Sequence, residues 1–499
     1  MNPQILQDLH AFYPEIAITV TLLAVIVADL AFAGLRRTAT FVIASLGLLT
    51  ALVYTLAQFT LPQGTLFYGM VAIDPMAVFF KGFLILTSFF ILLAAPNSRE
   101  IAREHIGEFY TLLLGVTLGM VLLASAADLL MLFLSIEMVS VTSYIMVGFL
   151  SHERQSNEAS VKYFLFGAVS TGSMLYGITL LFGLTGTLKF AQVRDALVQG
   201  AGSGDNGLTL LVACVLILAG FGFKTAAVPF HFWCPDVYAG APTPVTAFLS
   251  VAPKAVGFAA LMRFFYTVMS SSRGADVWGP LAAINWTVIV IMISVVTMTL
   301  GNLAALRQDN MKRMLAYSSI AHAGYIFMGT VVLNGQGLQS VLVYLVTYLF
   351  MNLGAFVIVI EIFNRIGSFD LRDYRGFWHR SPFLTIAMTL FMLSLMGIPP
   401  FAGFFGKLYV FGAAVNHNLV WYAVVGALNS VVAVYYYARV IKTMIIDGNP
   451  EEALAAGRVR VSWANSALVW AMLVPTAGLM LFWDRVQQLT TSSMKLFFD

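Results

Sequence analysis

The sequence predicts an all-α membrane protein of about 14 transmembrane helices, with two inverted five-helix repeats that each contain a broken helix. Three observations predict it. Hydrophobic residues fill 60% of the 499 positions and charged residues only 10%, where a soluble domain carries roughly 25%. Apolar stretches long enough to cross a bilayer recur along the whole chain. Two of them, far apart, are interrupted by glycine and proline and carry a lysine.

A membrane-spanning helix needs about 20 mostly apolar residues. Candidates centre near 24, 50, 84, 117, 138, 172, 218, 256, 291, 323, 350, 397, 430 and 473. These runs are too long and continuous for the short alternating strands of a membrane barrel. Residues 1–108 hold three helices, 109–268 the first five-helix repeat, 278–443 the second, and 444–499 a C-terminal helix and tail. No segment between helices is long enough to bury a core, so no soluble catalytic domain is expected. GSGDNG, residues 202–207, fits GxGxxG in form, but it follows an apolar helix and a polar loop instead of a strand, and it reads as a flexible loop. Cys214 and Cys234 lack CxxC or Cys/His spacing, so neither a metal site nor a disulfide framework is indicated.

The first apolar stretch ends in Ala31-Phe32-Ala33, a form found at signal-peptide cleavage sites. Its flanks argue for a retained helix with its N-terminus outside. Asp8 and Glu15 precede it without lysine or arginine, and Arg36 and Arg37 follow. Alternating sides from there puts 17 lysines and arginines in inner loops, from Arg36 to Arg460 and including Lys162 and Lys312. Six fall outside: Lys189, Arg194, Arg263, Arg273, Arg485 and Lys495. This bias obeys the positive-inside rule and supports fourteen crossings with both termini on the outer side.

Of the 27 lysines and arginines, four remain, Lys81, Lys224, Lys254 and Lys407, all within apolar spans. Every one is a lysine. Arginine keeps its charge nearly everywhere, whereas a desolvated lysine can exchange a proton near neutral pH. Glu137 is the acidic counterpart, near the middle of its own span. A charge at mid-membrane costs at least about 2.5–3.5 kcal/mol, so such residues face the bundle interior, a partner or a water-filled cavity. Lys81 also has a structural reading, because it can snorkel or pair with nearby Asp74.

FGFKTAAVPFHFW, residues 221–233, places Pro229 after Lys224 and Gly220 and Gly222 before it, so an interrupted helix is expected there. A second interruption is expected in LSLMGIPPFAGFFGKLYVFGA, where Gly397, Pro399, Pro400, Gly403 and Gly406 precede Lys407. Broken helices at membrane depth mark ion sites in transporters. Gly220-Phe221-Gly222-Phe223-Lys224 and Gly403-Phe404-Phe405-Gly406-Lys407 echo one another, each in the fourth helix of a five-helix unit. Five is odd, so consecutive units enter the membrane from opposite sides. His231, about two turns past Lys224, and His322, in KRMLAYSSIAHAGYIFMG, are candidate proton carriers, although a membrane histidine serves as readily as an inter-helix hydrogen bond. The other five histidines fall in loops or at helix ends.

RQSNEASVKYFLFGAVSTGSMLYG, FKTAAVPFHFWCPDVYAGAPTPVTAFLSVAPKA, MKRMLAYSSIAHAGY and LMGIPPFAGFFGKLYVF together resemble the subunit N family of bacterial NADH:quinone oxidoreductase, respiratory complex I. This is one of the antiporter-like membrane subunits related to multi-subunit sodium/proton antiporters. The resemblance runs from about residue 70 to 445, and PDVYAGAPTPVTAFLS is its most specific part. It implies that Glu137 pairs with a pumping lysine, Lys224, on a broken seventh helix. It further implies that Lys254 is a connecting lysine and that Lys407, on a broken twelfth helix, passes a proton outward. Lys162 and His231 fall on polar positions of the same family, and His322 matches it by segment.

The mechanism implied is electrostatic. At about 4 Å and an effective dielectric of 20, Glu137 and Lys224 would attract by on the order of 4 kcal/mol. Moving the glutamate away, or charging Lys254, would release the Lys224 proton toward His322 and Lys407. No cofactor is expected in this chain: NADH, FMN, iron–sulfur clusters and quinone are implied for partner subunits. The expected partners are other membrane-arm subunits, including a sister antiporter-like subunit, with the lipid bilayer and protons, and no nucleic acid. The resemblance places the chain in a bacterial inner membrane. Alternatives are a subunit of a sodium/proton antiporter, a non-pumping membrane-arm scaffold and, less well supported by polar residues, a small-molecule transporter.

Overall fold

The computed structural model describes residues 3–31, 36–202, 204–274, 277–282, 284–455, 457–459 and 461–495. Phe32, Ala33, Ser203, Arg460 and the Arg36 side chain, which entered the readings above, lie outside the described residues.

The principal helices are α1 (Tyr13–Ala31), α2 (Arg36–Ala57), α3 (Pro75–Ala94), α4 (Ile106–Ala124), α5 (Leu129–Val147), α6 (Arg154–Thr185), α7 (Gly207–Thr225), α8 (Trp233–Gly240) and α9 (Thr243–Thr267). They continue with α10 (Trp286–Ala305), α11 (Met311–Thr330), α12 (Gly335–Ile366), α13 (Pro382–Met396), α14 (Ala402–Asn416), α15 (Val420–Ile445), α16 (Trp463–Gly478) and α17 (Trp483–Ser493). Two small antiparallel hairpins join them, Gly64–Leu66 with Val71–Ile73 and Ser270–Gly274 with Val277–Pro280.

Among the described residues, 12 helical stretches are long and apolar enough to cross a membrane. The two further spans expected from sequence are helical but differ in kind. α11 has 20 residues, diluted by serine, histidine and tyrosine. The stretch near 397 is two helices, α13 and α14, of 15 residues each.

Local chemistry sets the boundaries. Asp74 caps α3 by accepting from Ala77 N, with Pro75 in the first turn. Asp128, Asn310 and Asn334 cap α5, α11 and α12 in the same way, and each such cap is worth about 1 kcal/mol. Gly397 ends α13 at φ +84°, a conformation that glycine adopts without penalty.

α9 is the centre of the bundle, with all 25 of its residues buried against α3, α4, α7 and α12. α12 is the second core helix and packs on α9, α11, α14 and α16. α1 and α2 lie at the rim, with faces of exposed apolar residues such as Val20, Leu23, Val27 and Leu46.

Both expected interruptions are present. α7 ends at Thr225, and α8 begins at Trp233. The freed backbone is satisfied locally: Val228 N donates to Thr297 Oγ1 at 3.0 Å, and Trp233 Nε1 donates to Phe223 O at 3.1 Å. The second gap, 397–401, is tied by Gly403 N donating to Ser394 Oγ at 3.0 Å. A Cβ at Gly403 would collide with the Ser394 carbonyl, so only glycine fits that approach.

Two details differ from the sequence reading. Gly220 and Gly222 do not loosen α7, which is continuous to Thr225; instead they make room for Met174 and Phe230. The Gly-Phe echo also does not put its lysines in equivalent places. Lys224 precedes its gap, and Lys407 follows its own. GSGDNG leads directly into α7 with no preceding strand among the described residues, consistent with a connecting segment.

Candidate proton path

Buried polar side chains follow one another from Lys254 to Lys407, and Lys224 is buried on a helix that packs against that of Lys254. Lys224 stands in the last turn of α7, 2% exposed. Its Nζ has no hydrogen-bond partner in the chain and lies 5.7 Å from the centre of the Phe223 ring. Glu137, on α5, is half-buried and within coulombic reach of that ammonium. The expected contact at about 4 Å is absent: no ion pair within 4.0 Å joins them. Glu137 comes from a helix face with exposed Leu130, Leu134, Val141 and Ile145, so its carboxylate sits toward the rim of the bundle.

Lys254 is deep in α9 and donates to Ser319 Oγ on α11 at 2.6 Å. It also lies 5.8 Å from the Tyr238 ring on α8. One turn along α11 from Ser319, His322 is held at both ring nitrogens, Nδ1 by Tyr344 Oη at 2.7 Å and Nε2 by Tyr437 Oη at 3.1 Å. Tyr437 Oη also lies 2.5 Å from Ser318 Oγ. Three helices, α11, α12 and α15, thus converge on one imidazole. The Tyr325 ring follows, with its centroid 5.9 Å from that of His322, and Lys407 Nζ lies 5.2 Å from it. Lys407 donates to Met396 O, the last carbonyl of α13, at 2.7 Å.

Both gaps leave the carbonyl end of a half-helix close to a lysine. The C-terminus of a helix carries the negative end of its dipole and attracts cations. Lys224 is in the last turn of α7, and Lys407 reaches back across its gap to the last residue of α13. Lys407 Nζ thus meets the carbonyl end of the half-helix across its gap, whereas Lys224 belongs to the half-helix that ends at its own gap.

The remaining sequence candidates are placed differently. His231 lies in the first gap, buried beside Phe232, and its Nδ1 has no partner in the chain. Lys162 is off the buried line. It is 38% exposed and paired with Asp236 at 2.7 Å and Glu158 at 2.9 Å, with Arg313 completing a surface cluster on Asp236. Lys81 pairs with Glu15 at 2.6 Å instead of with Asp74. Asp74 is taken by Arg263 through bonds of 2.6 and 2.8 Å.

The set of buried cations is wider than the sequence suggested. Arg263, assigned above to an outer loop, is 2% exposed inside α9. Lys312, assigned to an inner loop, is 1% exposed, donates to Ala241 O at 2.6 Å and lies 4.5 Å from the Phe369 ring. Glu361, on α12, is buried and accepts from Asn465. Ser319, Tyr344, Tyr437 and Tyr325 were missed, because a hydroxyl in an apolar helix gives no signal by itself. The i, i+4 tyrosines in YLVTY, residues 344–348, share a helix face and were the available clue.

The family described as "NADH:quinone oxidoreductase/Mrp antiporter, TM" matches residues 126–433, which include Glu137, Lys224, Lys254, His322 and Lys407. NADH-quinone oxidoreductase subunit N 2 of Chloroherpeton thalassium is 41% identical over 97% of this chain and 94% of its own. The chain belongs to the subunit N family of NADH-quinone oxidoreductases. A subunit N from an Anaeromyxobacter species is 42% identical over 97% of this chain and 96% of its own. A chain of respiratory complex I from Thermus thermophilus with bound aureothin superposes with a TM-score of 0.78 at 31% identity, over 96% of this chain and 99% of that one. A chain of the Mrp complex from Dietzia sp. shares the fold, with a TM-score of 0.81 at 20% identity over 97% of each chain. The subunit N family supplies antiporter-like membrane subunits of an oxidoreductase complex, and this chain is a multi-span member of it.

Proposed function

We propose that this subunit carries protons across a bacterial inner membrane along Glu137, Lys224, Lys254, His322 and Lys407, driven by charge changes that arrive from neighbouring subunits. The observation that carries this reading is the Lys254–Ser319 bond beside His322, which is held by Tyr344 and Tyr437. These residues give a buried series of groups that can each accept and release a proton. The same side chains would have little purpose in an inert scaffold, where a buried ammonium only costs stability.

In this cycle Lys224 holds a proton while Glu137 is charged and near. When the carboxylate is neutralised or drawn toward the rim, desolvation makes Lys224 release its proton. The proton passes to Lys254, then by way of Ser319 and His322 to Lys407, which delivers it outward. His231 lies beside the Lys224–Lys254 step, where its unpartnered Nδ1 can take part in transfer. Lys162 is assigned a role at the inner mouth of the path, through its cluster with Asp236.

The architecture that goes with this reading has fourteen crossings, counting α11 and the α13–α14 pair, with both termini outside. Residues 109–268 and 278–443 form the inverted repeats. NADH, FMN, iron–sulfur clusters and quinone are assigned to partner subunits. A sister antiporter-like subunit and other membrane-arm subunits are the neighbours, and the half-buried Glu137 face is where one of them would act.

The test is proton uptake by the assembled complex in proteoliposomes. Lys224→Ala should abolish uptake coupled to NADH oxidation while the redox centres stay assembled. Undiminished pumping would overturn the assignment. Sodium uptake in place of proton uptake would favour the antiporter alternative.

A further inference from the structure

A cavity of about 560 Å³ opens at one end of the bundle, where the starts of α2, α4 and α16 meet the end of α3. None of its lining residues belongs to the Lys224–Lys407 series. Its mouth carries Arg37, Thr38, Asn97 and Trp463, and its floor is apolar. Arg37 is exposed and enters no ion pair within 4.0 Å among the described residues. Tyr110, on α4, is fully buried at the cavity wall, within coulombic reach of Arg37, and its Oη has no hydrogen-bond partner. A buried hydroxyl left unpaired costs about 1–3 kcal/mol, so an acceptor is required there.

We propose that this cavity binds one anionic phospholipid. The phosphate takes the Arg37 guanidinium and the Tyr110 hydroxyl as donors, beside the N-termini of α2 and α16, where helix dipoles favour a negative group. One acyl chain lies along α16. There Ala464, Ala467 and Ala471 stand at i, i+3 and i+7 and leave room for it against Phe41 and Phe90. The volume falls within the range of about 300–1,000 Å³ typical of small-molecule sites.

The depth is consistent with a lipid headgroup. Arg37 is the second residue of α2, and Trp463 begins α16, so both sit at a helix start. Trp463 is 85% exposed, as suits an indole that rests in the headgroup layer. Charge complementarity selects an anionic lipid over a zwitterionic one, because Arg37 has no counter-ion within 4.0 Å among the described residues.

The experiment uses the assembled complex in phosphatidylcholine vesicles doped with a photoreactive phosphatidylglycerol or, separately, with the photoreactive phosphatidylcholine. Labelled peptides are mapped by mass spectrometry. The phosphatidylglycerol should label the segments around 90–97 and 463–471, and Arg37→Gln should cut this about fivefold. Tyr110→Phe should also lower it. Ala467→Trp, which fills the chain-binding groove and leaves the mouth intact, should abolish it, and NADH oxidation by each variant reports correct assembly. Equal labelling by both lipids, labelling indifferent to Arg37→Gln, or no labelling because a neighbouring subunit covers the groove would each overturn the proposal.

Discussion

Lys407 Nζ, on α14, is bonded at 2.7 Å to the carbonyl oxygen of Met396, the residue that ends α13. The ammonium group therefore spans the gap in its own broken helix. A hydrogen bond to a charged donor is worth about 1.5–3 kcal/mol, so this contact holds the gap closed, beside the proton-carrying role proposed for Lys407. Replacing Lys407 with arginine separates the two roles. Lys407→Arg keeps a donor for Met396 O but cannot release its proton. Assembly should survive, and coupled proton uptake should fall at least tenfold. Full uptake by the arginine variant would remove Lys407 from the path.

Ser319 is the acceptor for Lys254. Ser319→Ala leaves a buried ammonium short of one partner, at a cost of about 1.5–3 kcal/mol, which corresponds to roughly tenfold or more in any step that needs the protonated lysine. Stopped-flow proton uptake by the complex should slow by that factor, and Ser319→Thr, which restores a hydroxyl, should recover most of it. A normal rate in Ser319→Ala would show that Lys254 works without this bond.

His322 is fixed by two tyrosine hydroxyls on different helices. Tyr437→Phe removes one of them and strips Ser318 of its partner, and Tyr344→Phe removes the other. Each single change should lower coupled uptake several-fold, and the double change should do little more than the worse single. Residues that act as one unit are not additive. Strict additivity would mean that the tyrosines act apart from the histidine.

Asp74 and Arg263 form a fully buried pair between α3 and α9. Removing one partner of such a pair costs about 3–5 kcal/mol, because the other charge is left uncompensated. Arg263→Met should therefore reduce the amount and thermal stability of assembled complex. The proton yield per NADH of whatever does assemble should be unchanged. Asp74→Asn combined with Arg263→Met should be milder than Arg263→Met alone. A lower proton yield with normal assembly would place the pair on the path.

Glu15 and Lys81 are joined in the same way at 2.6 Å, with Gln58 as a weaker neighbour at 3.5 Å. Lys81→Met should loosen α1 from α3 and lower the melting temperature, with no effect on proton yield. This distinguishes it from Lys224→Ala, and a loss of yield in Lys81→Met would revise the structural role given to it.

The fold was legible to the extent that it depends on apolar length. Twelve of the candidate spans meet the length and hydropathy expected of a crossing, and the other two are helices that only their polarity or a gap sets apart. Proline marked both gaps, Pro229 in the first and Pro399 and Pro400 in the second, where Gly397 ends α13, whereas Gly220 and Gly222 lie inside a continuous helix and marked nothing. Charge partners were not legible. Lys81 follows Asp74 by seven residues, yet it reaches Glu15 on another helix, since a salt bridge is decided by packing and not by distance along the chain. Arg263 and Lys312 looked like loop residues because one stands near the end of its helix and the other at the start of its own, and both are buried by neighbouring helices. The prolines placed the gaps correctly, after Lys224 and before Lys407, whereas the Gly-Phe echo says nothing of this difference, because a repeated motif fixes composition and not the residue at which a helix stops.

The position of Glu137 has a consequence for the unassembled protein. Its carboxylate shares a helix face with Leu130, Leu134, Val141 and Ile145, side chains that an orphan copy turns toward hydrocarbon. An anion there is penalised by several kcal/mol until something polar shields it. A stray copy thus carries its own mark of incompleteness, one that docking erases, and the group proposed to receive the driving signal is also the one by which the membrane can tell a finished assembly from an unfinished one.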